Sequence, residues 1–172
     1  VEPRHTGPFK LYAKDKAGSI LHDVLFAPFF AGAAGSGHCW HWDRYVDAND
    51  LWWQIGRFAA AVDGLDPPAG GFQPLQIDHP DLRVYLLKGR RTLIAWCRDK
   101  ANDWKSELAE GKAPPRRSGL TLSLAPHAPG GVSSARVYDP CANRWSDAAV
   151  KGGELTLPDF ERPIVVRLPL PA

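Results

Sequence analysis

The chain has 172 residues, 44% of them hydrophobic and 23% charged, with a formal net charge of +2. That is the composition of a globular chain rather than a disordered one, and so small a charge with scattered basic residues gives no ground for a nucleic-acid partner, so none is expected. No apolar run approaches the roughly 18 residues of a membrane helix: the longest, from Val24 to Ala34, is broken by Pro28 and Gly32, so no membrane partner is expected.

The sequence holds no methionine and begins at Val1, which predicts a processed or truncated piece of a longer protein. Its three cysteines, Cys39, Cys97 and Cys141, lack the paired spacing of a zinc site and are expected as buried free thiols. No cofactor and no metal are expected.

In chain order, a helix is predicted from Ser19 as its N-cap, carrying Ile20, Leu21, Val24, Leu25 and Phe26, with Pro28 removing a backbone donor and kinking it. A short strand over His38 to Asp43 follows. Period two puts His38, Trp40 and Trp42 on one face and Cys39, His41 and Asp43 on the other. The opposed histidines therefore make no metal pair. A second helix, capped by Asn49 or Asp50, is expected to show Leu51, Ile55, Phe58 and Val62 as its apolar stripe.

At Asp66-Pro67-Pro68-Ala69-Gly70-Gly71 the periodicity switches from helical to alternating. Six strands are predicted beyond it, at 75–79, 82–87, 92–98, 120–124, 135–138 and 164–168, with weaker ones at 144–146 and 154–157. Short strands punctuated by Gly and Pro argue for an antiparallel β-sandwich, with a core of Leu82, Val84, Leu86, Leu93, Ile94, Leu122, Val137, Ile164 and Val166. The fold class is thus α+β: a C-terminal antiparallel sandwich over 75–172, a linker over 67–74, and a helix-strand-helix unit within 1–66. The stretch from Asp99 to Arg117, which contains Trp104, is expected as a surface excursion.

Four of the seven tryptophans fall between positions 40 and 53, among His38, His41, Asp43 and Asp47. Indole faces suit the C–H sides of sugar rings, and neighbouring polar groups suit their hydroxyls, so carbohydrate is the expected partner. The candidate binding set is Trp42, Trp40, His41 and Asp43. Trp42 has the better case as a platform, whereas a core position is preferred for Trp40 and a structural role for His38 and His41. Trp104 and Trp145 are the alternative platforms, should the sandwich itself bind sugar; for Trp104 a loop anchor tucked against the sheet is preferred. Exposure of both would favour that alternative, and burial of both a purely structural role.

His22 and Leu25-Phe26-Ala27, then Ala31-Gly32-Ala33-Ala34-Gly35 and Trp40-His41-Trp42-Asp43, resemble the end of the (β/α)8 barrel of a clan A glycoside hydrolase of the cellulase and mannanase type. The segment from Arg136-Val137-Tyr138-Asp139-Pro140 to Ile164-Val165-Val166-Arg167-Leu168 resembles the small sandwich appended to such barrels. The resemblance implies a retaining two-carboxylate mechanism in a full-length parent acting on poly- or oligosaccharides, with Glu2 as the candidate nucleophile. His41 departs from the aromatic triplet of that family. The family's Asn-Glu pair, which supplies the acid/base carboxylate, does not occur in this sequence. The chain alone is therefore expected to be inactive, the alternative being a non-catalytic carbohydrate-binding or structural accessory module. Since a lone strand and two apolar helices need cover, docking onto the rest of the barrel or onto a second copy is expected in preference to packing on the sandwich.

Overall fold

The computed structural model describes residues 10–128, 130 and 132–171. Helix α1 spans Ser19–Phe30. A π-helical segment covers Trp42–Asp47, α2 covers Trp53–Val62, and the proline-rich breaker forms the short α3, Pro67–Gly70, capped by Asp66 accepting from the Ala69 amide. Eight strands follow: β1 Gln73–Ile77, β2 Leu82–Lys88, β3 Thr92–Asp99, β4 Thr121–Ser123, β5 Ser134–Asp139, β6 Arg144–Lys151, β7 Glu154–Thr156 and β8 Ile164–Pro169. Each of the eight predicted strands is present. The mixed α+β class with an antiparallel sandwich is what the chain adopts.

The sheet runs β1-β2-β3-β8-β5-β6-β7-β4, every pair antiparallel. It curls on itself, so that Leu122, Leu124, Leu155 and Leu157 meet Leu82, Val84, Leu93, Val137 and Val166 in one core. All nine predicted core residues are buried.

The opposite face of the sheet is apolar as well. Leu87, Ile94, Trp96, Tyr138 and Val165 pack against Leu21, Leu25, Phe26, Phe29, Phe30, Tyr45, Val46, Leu51 and Ala61. Ile94 belongs to this second core and not to the sandwich interior. The helices thus find their cover in cis, which corrects the expectation that they dock elsewhere. The physical reason lies in β3: both its faces are buried along nearly its whole length, as in a strand sandwiched between two layers.

The strand expected over His38 to Asp43 is absent. Among the described residues no strand pairs with this stretch, and an unpaired strand would leave its backbone polar groups unmatched. The stretch instead leads into the π-helical segment, where the Tyr45 amide donates to the His41 carbonyl at 2.9 Å. Tyr45 and Val46 turn inward and are buried.

The start of α1 also differs from expectation. Ser19 is its first helical residue, and Gly18, at φ 72°, holds the N-cap position without a side chain to cap with. Asp15 does that work: it is fully buried, and its carboxylate accepts from the Ser19 and Ile20 amides at 2.8 Å each and from the Tyr45 hydroxyl at 2.5 Å. Burial, with the Asp15 bond next, holds the Tyr45 hydroxyl far above its ordinary range. Asp15→Leu is expected to cost on the order of 2–4 kcal/mol, since it strands three donors and removes a cap. Denaturant titration checks this, and a midpoint equal to the parent would remove Asp15 from the account.

Pro28 lies inside α1, which continues to Phe30. Its missing N–H leaves the Val24 carbonyl without its helical donor, and Gly37 packs on that oxygen so closely that a Cβ there would approach it to 2.1 Å. In α2 the buried residues are Gln54 and Ala61, with Leu51 buried just ahead of the helix; Ile55, expected in the stripe, is 46% exposed. Asn49 and Asp50 do not cap α2, whose N-cap residue is Trp52. Asn49 instead donates to the Tyr12 and Tyr45 carbonyls at 2.9 and 3.0 Å.

Candidate functional site

The π-helical segment decides which of the predicted site residues reach solvent. With Tyr45 and Val46 anchored inward, Trp42, Asp43, Arg44 and Asp47 are left on the outside. Trp42 is 55% exposed, as a platform requires. Trp40 is 81% exposed, so the core position preferred for it is wrong: the strand that would have buried it does not form. His41 is half-buried, with its ring 5.9 Å from that of Tyr12, which in turn stacks on Tyr45 at 4.1 Å. Asp43 is exposed and faces Arg44 at 3.7 Å. Glu2 lies outside the described residues.

Trp52 joins this surface although the sequence reading left it out. It is 43% exposed, its ring centroid is 6.3 Å from that of Trp42 with the planes at 49°, and its indole N–H donates to Asp47 Oδ1 at 2.9 Å. The signal was present in the sequence as an Asp and a Trp five residues apart, but only the helical turn brings them together.

The alternative platforms divide. Trp145 is half-buried, stacked on Tyr138 at 4.8 Å with the Arg136 guanidinium 4.6 Å from its ring. Trp104, 40% exposed, lines an open groove of about 480 Å³ with Ile20, Val24, Ala27, Pro28 and His38. Its stretch, Asp99 to Arg117, is more than an excursion. It is tied down by the Asp99–Arg117 ion pair at 2.7 Å and by Glu107, which accepts from Arg162 at 2.7 and 3.0 Å.

A polar junction sits where α1 meets β3. His22 Nε2 accepts from the Trp96 indole at 3.1 Å, Asp23 pairs with Arg98, and Arg162 donates to Ser19 Oγ at 2.9 Å. Burial, with the Arg98 charge second, drives the His22 pKa down to about 3, so the imidazole is neutral. Burial raises the Asp23 carboxyl even against Arg98. The cavity among these groups is about 10 Å³, the space of a single water rather than a sugar ring. The junction therefore joins layers and holds no substrate. The three cysteines are free; Cys97 is buried as expected, whereas Cys39 is half-buried and Cys141 exposed. Among the described residues no group of three or more His, Cys, Asp or Glu side chains is placed to hold a metal ion.

No protein-family model and no curated protein matches this sequence. Among solved structures, a cycloisomaltooligosaccharide glucanotransferase from Paenibacillus sp., complexed with cycloisomaltoheptaose, matches at a TM-score of 0.54 and 13% identity, over 85% of this chain and 27% of that one. This chain shares the fold of that part of the glucanotransferase. A GH30 endoxylanase from Clostridium papyrosolvens C71 gives a TM-score of 0.43 at 12% identity over 69% of this chain and 27% of that one, too distant to add to the argument. The chain spans about a quarter of the length of either protein, and the likeness is one of fold alone.

Proposed function

We propose that this chain is the C-terminal portion of a glycoside hydrolase-like protein acting on poly- or oligosaccharides, with its sugar contacts at the Trp40–Asp47 surface. The observation that carries the reading is the exposure of Trp40 and Trp42 beside His41 and Asp43. Large indoles are normally buried, and exposed ones rimmed by polar groups mark binding surfaces. The fold shared with an enzyme crystallised on a cyclic glucan supports the same class of partner. In the full-length parent, Glu2 would act as nucleophile of a retaining pair, with the acid/base carboxylate supplied from outside this sequence.

The isolated chain is expected to release no reducing sugar from any glycoside. A missing general acid alone removes about 10²–10⁴ in rate. Turnover abolished by Glu2→Gln would refute this, since it would require a second carboxylate within the chain. Binding is expected to survive without catalysis: Trp42→Ala should weaken glycan binding, followed by calorimetry, by about tenfold or more. Failure of the parent chain to bind any glycan would end the carbohydrate reading.

The second reading, a non-catalytic binding module, is favoured by one feature. Trp104 stands 40% exposed beside the groove between α1 and the Asp99–Arg117 stretch. Loss of binding in Trp104→Ala with none in Trp42→Ala would select it.

A further inference from the structure

An exposed indole ordinarily turns about its side-chain torsions, but Trp52 is held. Its N–H donates to Asp47 Oδ1 at 2.9 Å, and its ring stands at 49° to that of Trp42 with centroids 6.3 Å apart. Resting on the saccharide reading above, we propose that Trp42 and Trp52 form a bent two-indole wall that binds neutral glycans as single soluble chains.

The angle argues for the form of the ligand. Two rings inclined at 49° cannot both lie flat on the planar face of a crystalline polysaccharide. They can each meet one ring of a chain whose successive sugars are rotated about its axis, with indole faces against C–H faces. Charge argues for its neutrality. From Trp42 to Asp50 the segment carries Asp43, Asp47 and Asp50 against the single guanidinium of Arg44, which itself faces Asp43 at 3.7 Å. Lys16 reaches the segment at Asn49. A uronate would bring its carboxylate up to this acidic rim, whereas hydroxyl groups can donate to it. In this arrangement Trp52 touches sugar and Asp47 is a positioning residue, acting through the indole it holds.

The test is calorimetric titration of the 172-residue chain with neutral gluco-, manno- and xylo-hexaoses and with hexagalacturonate, alongside retention on microcrystalline cellulose. At least one neutral hexaose is expected to bind, with neither hexagalacturonate bound nor cellulose retained. Trp52→Ala should weaken binding about tenfold. Asp47→Leu should weaken it several-fold, while Asp47→Asn, which keeps an acceptor for the indole N–H, should restore it, all at unchanged melting temperature. Trp52→Ala binding like the parent while Trp42→Ala does not would overturn the two-indole wall and leave the saccharide reading standing. Binding of hexagalacturonate or retention on cellulose would overturn the stated selectivity. No hexaose bound at all would remove the saccharide reading itself, and the wall with it.

Discussion

Trp96→Ala is expected to destabilise the chain by about 3–5 kcal/mol, the range for deleting a large buried aromatic. Trp96 is 2% exposed at the centre of the interface between sheet and helices. Its ring lies 6.0 and 6.1 Å from those of Phe26 and Phe30 and 5.5 Å from that of Tyr85. Removing it opens a cavity between two layers that the surrounding aromatics, packed edge and face on one another, can only partly refill. It also takes the donor from His22 Nε2, leaving a buried acceptor unmatched. At this chain length the melting temperature should fall by on the order of 10 °C. Far-UV circular dichroism reads the loss without relying on indole emission. A loss below about 1 kcal/mol would mean that helices and sheet do not share a core. Trp96→Phe, which retains most of the ring and loses the hydrogen bond, should fall between the two.

The parts of this fold legible in the sequence are those set by local alternation. The eight strands follow from short alternating or wholly apolar stretches and the Gly/Pro turns between them. What local pattern hides is the number of covered faces. Leu93-Ile94-Ala95-Trp96-Cys97 and Ile164-Val165-Val166 are unbroken apolar runs, the mark of strands covered on both sides. Taken as half-buried strands they left the helices without a partner, and docking elsewhere was the consequence. Cys39-Trp40-His41-Trp42-Asp43 erred the other way. Its alternation suits a strand, but a strand also needs a neighbour, and the pairing requirement is not written in the segment itself. The Trp42–Trp52 contact was hidden for the same reason, since its geometry depends on the helical turn between them. Asp15 was masked by Ser19, a good N-cap type at the right place, while Gly18 in the left-handed region lets the chain turn so that a carboxylate four residues earlier reaches the helix amides.

His22 should make the chain acid-sensitive, and the sign follows from its environment. Its ordinary pKa of 6.5 falls to about 3 in the folded state, first by burial and then by the Arg98 charge. Arg162 adds to the repulsion, and the Trp96 N–H occupies the Nε2 lone pair that a proton would need. Between these two pKa values the unfolded chain binds a proton that the folded chain refuses. The contribution of neutral His22 is thus fully present above about pH 6.5 and is lost as pH falls towards 3. The slope is on the order of 1.4 kcal/mol per pH unit, or about 2–3 kcal/mol between pH 6 and pH 4. Other groups titrate nearby: Asp99, pushed up by burial but lowered in net by Arg117 and the Ala101 amide, adds to the acid loss, whereas Asp23, raised by burial, opposes it. His22→Gln separates them, because an amide oxygen can still accept from the indole N–H and does not titrate. Denaturant midpoints measured from pH 7.5 to pH 4 should fall more steeply for the parent than for His22→Gln, the curves diverging below about pH 6.5. Parallel curves would show that His22 is protonated in the folded chain, and would undo the neutral imidazole at the junction of helix and sheet.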